Sequence, residues 1–155
     1  MRDNYFWGTL ITYAILAIAA SLGYHIIFYT FESFIQNSGQ FGWMGGIVTV
    51  IQAFGWTQNG IIIAFMQQTA FMFLFAIFIH TWTSIQGKWY GWATNITLAA
   101  ILAVFIPIAP LRASLVWFFN MIIFHDIAAV QIISCLVLAA AIYVLNKPIY
   151  NRKAI

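Results

Sequence analysis

Four ionisable side chains interrupt the long apolar stretches of this 155-residue chain: His25, Glu32, His125 and Asp126. Each is costly to bury in apolar surroundings, which makes it a candidate for a functional role. Glu32 follows His25 by seven residues, so on a helix both share one face about 10 Å apart in rise. Imidazole titrates near neutral pH, and a neighbouring carboxylate stabilises its charged form. We therefore expect the four residues to form one polar site, which could exchange a proton with a bound hydroxyl group or could equally be an ion-paired strut.

The same residue types also permit other roles. Imidazole is a common axial ligand of haem iron, so His25 and His125 could instead hold a haem b group. Each histidine could equally form a hydrogen bond between helices, and Asp126 could cap the free amides of a helix start. His80 is expected near the opposite end of its helix, away from these residues. The sequence contains no paired-cysteine or HExxH motif, and no metal site is predicted.

Gln67, Gln68 and Thr69 form the polar centre of another apolar segment. Amide side chains form hydrogen bonds across helices in membranes, so we expect both glutamines to join helices rather than to bind a ligand. Cys135 is the single cysteine and lies within an apolar run. A small, buried hydrophobic role is expected for it.

The elements that position these residues follow from the composition. Hydrophobic residues make up 64% of the chain and charged residues 6%, whereas soluble domains contain about a half and a quarter. The apolar runs match the roughly 20 helical residues that one membrane crossing needs. Helices are expected because backbone amides cannot face lipid unpaired. The sequence predicts an all-α, integral membrane four-helix bundle that forms a single domain.

The apolar runs predict membrane spans at about 5–30, 59–82, 93–110 and 126–146. Residues at about 41–56 are too few to span comfortably and are interrupted by glycines, so a short interfacial or re-entrant helix is predicted there. The apolar sequence after Arg112 is too long for one crossing, and His125 and Asp126 divide it. A second short interfacial segment is therefore predicted at about 113–124, before the last span. The last helix is therefore predicted to be broken.

The basic residues predict the orientation. With four crossings, both termini and the loop after the second span share one side, which then carries all the basic residues except Arg112: Arg2, Lys88, Lys147, Arg152 and Lys153. Basic residues concentrate on the cytoplasmic side of membrane proteins, so both termini are predicted to be cytoplasmic. The net charge of +3 is small and scattered, which argues against a nucleic-acid partner.

The order of elements resembles a known family. A first helix is followed by the glycine- and aromatic-rich segment Ser38 to Trp56, by two more helices, and by a polar step into the last helix, FFNMIIFHDIAAVQIISCLVLAAAIYVLNKPIY. This layout resembles the four-helix DoxX/DoxD-like membrane family, although phenylalanines stand where the family's second helix has glycines. The resemblance implies a link to quinone-dependent respiratory complexes, such as thiosulfate:quinone oxidoreductase and archaeal terminal quinol oxidase.

We therefore expect a membrane subunit of a respiratory or other membrane redox complex, linked to quinone or quinol, rather than an enzyme that acts alone. Two alternatives remain open at this point. One is a non-catalytic accessory subunit that stabilises a larger membrane enzyme such as a terminal oxidase. The other is a haem- or metal-binding membrane anchor. The expected partners are the lipid bilayer, other membrane subunits and a quinone.

Overall fold

The computed structural model describes residues 2–38, 50–86, 89–145 and 147, and within the first helix the side chains of residues 7–33. These residues contain six α-helices: α1 (Arg2–Ser38), α2 (Val50–Ala53), α3 (Ile61–Gln86), α4 (Trp89–Phe105), α5 (Ala109–Phe119) and α6 (Ala128–Leu145). A 3-10 turn (Trp56–Asn59) precedes α3, and a π turn (Asn120–Phe124) continues α5. The described part contains no strand, so the predicted all-α class is confirmed.

Three helices are long and apolar enough to cross a membrane: α1 over Trp7–Ser33, α3 and α6. The consecutive helices α4 and α5 meet the same criterion as a pair but are bent by 115° at the turn between them. Pro107 lies in this turn, and Pro110 lies in the first turn of α5, where a missing amide donor costs nothing. The helices are compatible with a multi-pass membrane protein of three or four crossings.

Most of the predicted short segment at 41–56 lies outside the described residues. Its described end consists of α2 and the start of the 3-10 turn. Near the other predicted short segment, α5 passes directly into the π turn, and the backbone becomes extended at His125 before α6 begins.

Helix α3 is the centre of the packing and contacts α1, α6 and α4. It runs antiparallel to α1, because Tyr13 contacts His80 at one end and His25 contacts Phe65 towards the other. Gln67, early in α3, pairs with Gln131, early in α6. Helix α3 thus packs against both α1 and α6.

Two buried clusters hold the helices together. The first joins α3, the π turn and α6: Ala70, Leu74, Ile77, Ile122, Cys135, Ala139 and Tyr143. The second closes the end where α1, α2 and α3 meet: Phe28, Ile51, Trp56 and Ala64. Many other large apolar side chains face outward, including Ile27 and Ile62, which are 70% and 76% exposed. Such a large apolar surface fits contact with lipid or with other membrane proteins.

The start of α4 approaches the end of α3 closely at a glycine. A Cβ atom on Gly91 would lie 2.4 Å from the Ile85 carbonyl oxygen. Near this contact the side-chain amides of Gln86 and Asn95 form two reciprocal hydrogen bonds, each of 3.0 Å. Close backbone approach and a satisfied amide pair therefore fix the start of α4 against the end of α3.

Candidate functional site

Buried polar side chains collect where α1, α3 and α6 meet. Each of them is at least nine-tenths buried, and they come from all three helices: Ser21 and His25 from α1, Gln67 and Gln68 from α3, and Gln131 from α6. Polar groups are costly inside an apolar bundle unless they form hydrogen bonds. Their positions and partners therefore mark the region of the molecule that we treat as the candidate functional site.

A chain of amides joins α3 to α6. Asn59 Nδ2 donates to Gln67 Oε1 over 3.2 Å, and Gln67 Nε2 donates to Gln131 Oε1 over 2.5 Å. Gln67 therefore joins two helices, as its position in the sequence predicts. Hydrogen bonds of this kind are a common means of helix association in membranes.

His25 is buried, with 5% of its surface exposed. Its Nδ1 lies 3.0 Å from the backbone carbonyl oxygen of Ser21, one turn earlier in α1. A carbonyl oxygen can only accept, so Nδ1 must carry the hydrogen. In the neutral ring, Nε2 is then left with a lone pair, and within the described residues no protein group bonds it. The ring itself packs edge-on against Phe65, with centroids 5.4 Å apart.

A cavity of about 400 Å³ lies between the same three helices. Its lining includes Ala14 and Ile18 of α1, Phe65, Thr69 and Phe73 of α3, and Ile132 and Leu136 of α6. The Thr69 hydroxyl donates to the Phe65 carbonyl oxygen over 2.8 Å, so it does not make the wall polar. This volume lies within the range of small-molecule sites, roughly 300–1,000 Å³.

His25 lies in line with this cavity. Positions 14, 18 and 25 of α1 recur at spacings that fall on one helix face, which places His25 about 10 Å along the axis from Ile18. Phe65 lines the cavity and also touches the His25 ring. Phe65 thus belongs both to the cavity lining and to the ring contact of His25, whereas His25 itself is not part of the lining.

Comparison with models of known protein families, with curated proteins and with solved structures finds no match to this chain.

The other residues of the predicted polar site have different surroundings from His25. Glu32 and His125 are partly exposed, and Asp126 is exposed. His125 Nδ1 accepts a hydrogen bond of 3.0 Å from the Ile127 amide just before α6. Within the described residues, no hydrogen bond or ion pair joins any two of the four. The structure instead places His25 beside Phe65, in the region of the buried glutamines.

The tautomers of the two histidines differ, and this bears on a haem b group. His25 has its Nε2 lone pair free, with Nδ1 hydrogen-bonded to a carbonyl, which is the usual arrangement of a ligating histidine. In His125 the Nδ1 lone pair accepts the Ile127 amide, so Nε2 carries the hydrogen in the neutral ring. As placed, His125 does not offer a free lone pair, and the two rings do not fit as a pair of axial ligands. Among the described residues, no three His, Cys, Asp or Glu side chains come together as a metal site.

Sequence reasoning missed several of these residues. Gln131 is a single polar residue in the apolar run of the last helix, and this polarity could have indicated a buried hydrogen bond. Its partner could not be identified from the sequence, because Gln67 lies 64 residues away. Phe65 carried no signal, because aromatic residues are abundant throughout the chain. Away from the cavity, Tyr13 Oη and His80 Nδ1 form a hydrogen bond of 2.8 Å, which gives His80 a partner on α1.

Proposed function

We propose that this chain is an integral membrane subunit of a redox complex and that it binds a quinone or quinol. The observation that carries the proposal is the apolar cavity between α1, α3 and α6. Membrane quinones combine an apolar tail with a ring whose two oxygens form hydrogen bonds. An apolar cavity of this size matches the tail of such a molecule.

The surface of the helices supports membrane partners. Large apolar side chains point outward along α1, α3 and α6, as Ile27, Ile62 and Ile133 illustrate. Such surfaces pack against lipid tails or against other membrane subunits. We propose that the chain is one subunit of a larger assembly of the DoxX/DoxD-like type, inserted with both termini on the cytoplasmic side.

Quinone binding can be tested in lipid nanodiscs made without quinone. A photoreactive quinone should label peptides of α1, α3 or α6 that line the cavity, and an excess of unmodified quinone should compete. Ala14→Trp would fill the cavity and should reduce labelling at least tenfold. Ala19→Trp adds the same bulk to an exposed position of the same helix and is the matched control. Labelling that is absent, or that survives Ala14→Trp, would overturn the proposal.

A non-catalytic accessory role is the second candidate. It is favoured by the outward apolar faces and by the amide chain from Asn59 to Gln131, which joins α3 to α6 without any ligand. This role predicts stoichiometric co-purification with larger oxidoreductase subunits, together with no competed quinone labelling. A cavity-filling variant would then leave both assembly and turnover of the complex unchanged.

A further inference from the structure

We propose that the cavity between α1, α3 and α6 takes only the isoprenoid tail of its ligand, which enters sideways from the bilayer while the ring stays outside. The inference rests on the proposed function and adds which part of the molecule is recognised. It follows from the chemistry of the lining, from its depth along the helices and from the side on which it opens. A quinone and its quinol should then bind equally well, because they differ only in the ring.

The lining suits an apolar chain rather than a polar ring. Apart from Thr69, every described residue that lines the cavity has an apolar side chain. The Thr69 hydroxyl already donates to the Phe65 carbonyl oxygen over 2.8 Å, so it has no hydrogen to give to a quinone oxygen. A ring placed against this lining would bury oxygens without hydrogen bonds, which is unfavourable, whereas a hydrocarbon chain has no such oxygens.

The cavity reaches the middle of all three helices. Phe73 lies next to the centre of α3 and Leu136 next to the centre of α6, and both line the cavity. Ile18 lines it from α1, two residues before Ala20, which is the centre of the apolar stretch Trp7–Ser33. When these helices cross a bilayer, their middle lies in hydrocarbon without water, at the level of the lipid tails. The tail of a quinone reaches this depth, and its ring is more stable nearer the interface.

The cavity opens on the outer face of the bundle. Its closed side includes Ala70, which is 4% exposed. The lining residues Ile18, Met66 and Leu136 come from three different helices and are 49%, 50% and 45% exposed. They therefore belong both to the cavity and to the apolar outer surface, which fits contact with lipid. A ligand reaches the cavity by moving sideways within the bilayer, without passing through water.

An isoprenoid chain is favoured over the acyl chain of a phospholipid for an entropic reason. Both chains are apolar, so neither gains hydrophobic free energy on leaving the bilayer, and packing contacts must offset the lost freedom of the chain. The double bond in each isoprene repeat cannot rotate. An isoprenoid chain therefore loses less freedom than a saturated acyl chain when the same cavity holds it.

The test uses the full chain in nanodiscs, kept anaerobic, and a prenyl hydrocarbon that carries a photoreactive diazirine. This probe should label the peptides of α1, α3 and α6 that line the cavity. Competition is measured with a prenylated quinone, its hydroquinone, the same prenyl chain without a ring, and the ring without a chain. The three ligands that carry the chain should compete within about twofold of one another, and the ring alone should not compete.

The outcomes separate this inference from quinone binding itself. Competition by the prenylated quinone and hydroquinone, but not by the bare chain, would overturn the inference while quinone binding stands. Competition by the bare chain alone would overturn quinone as the ligand and leave an isoprenoid site. A phospholipid probe with a diazirine in its acyl chain should not label these peptides in the presence of the bare prenyl chain. Labelling that persists would identify bulk lipid as the occupant and overturn the inference.

Thr69→Val tests whether the ring enters the cavity, because it removes the one lining hydroxyl and keeps the shape of the side chain. Competition by all ligands should stay as it was. A loss that affects the hydroquinone alone would show that its hydroxyl donates to Thr69 Oγ, and would contradict the inference.

Leu136→Asn tests the apolar wall, since an amide there would meet a hydrocarbon chain that cannot bond it. Labelling by the prenyl probe should fall about tenfold. Leu22→Asn is the matched control, because Leu22 is 51% exposed, lies on the outer surface of α1 and does not line the cavity. It makes the same substitution at similar exposure and should leave labelling unchanged. Equal labelling of the two variants would overturn the placement of the tail in this cavity.

Discussion

Gln67 on α3 donates a hydrogen bond of 2.5 Å to Gln131 on α6, and both side chains are almost completely buried. The two residues are 64 positions apart in the chain. Their bond ties the central helix of the bundle to the last one at the level of the candidate site. The packing of α3 against α6 therefore includes a buried hydrogen bond between two neutral amides.

Replacing Gln131 with Met keeps the length of the side chain and removes the acceptor for Gln67 Nε2. The unfolding free energy in detergent should fall by about 1–2 kcal/mol, because a buried amide donor is left without a partner. The double variant Gln67→Met/Gln131→Met should lose less than the sum of the single changes. Gln58→Met, at an exposed position, is the control and should have little effect. Strict additivity of the two single changes would show that the bond contributes nothing.

Gly91→Ala should push the start of α4 away from the end of α3. The added Cβ would lie 2.4 Å from the Ile85 carbonyl oxygen and 2.8 Å from the Gln86 Cα, so the backbone must move. We expect a loss of about 1–3 kcal/mol in thermal or denaturant unfolding. Gly23→Ala is the matched control within a helix, because a Cβ there meets nothing within 4 Å. If both variants unfold alike, the close approach is not a constraint.

Trp56→Phe should release the π turn before α6. Trp56 Nε1 donates to the Ile123 carbonyl oxygen over 3.0 Å, and Cys135 Sγ donates to the neighbouring Ile122 carbonyl oxygen over 3.4 Å. Without the indole donor, one buried carbonyl loses its partner, and amide hydrogen exchange of residues 120–127 should become faster. Trp117→Phe changes the same ring at an exposed site and should leave this exchange as it was.

Cys135 supplies the other donor and allows an independent check. Cys135→Ser replaces the S–H donor with an O–H donor, whereas Cys135→Ala removes the donor, and both side chains are small. The alanine variant should show the faster exchange of the π turn. Equal exchange in the two variants would mean that the sulfur acts only through packing.

The orientation of the chain is tested at the turn after α3. Four crossings with cytoplasmic termini place position 87 on the cytoplasmic side, following the distribution of basic residues. In a variant without Cys135, a cysteine introduced at Gly87 should react with a membrane-impermeant reagent only after the cells are opened. Reaction in intact cells would reverse the predicted orientation.

Composition and run length determined the fold class by themselves. A chain with 64% hydrophobic and 6% charged residues cannot cover itself with polar surface, and backbone amides in apolar surroundings must pair within a helix. For the same reason, the prolines at 107 and 110 were sufficient to indicate the break that separates α4 from α5. The polarity of Gln67 within an apolar run was sufficient to predict that it joins helices.

Only the tertiary structure decided which residues share the site. In a soluble helix the buried face is the apolar one, but here the faces of α1 are apolar all round, so hydrophobic pattern does not give the rotation of the helix. Ala17 and Ser21 are buried while Ile18 and Leu22 are exposed, an arrangement that follows side-chain size rather than polarity. The rotation brings His25 onto Phe65. Sequence spacing shows which residues share a face of one helix, as it does for His25 and Glu32. It does not show which residues of different helices meet, and this is why His25 was grouped with His125 and Asp126 rather than with Phe65.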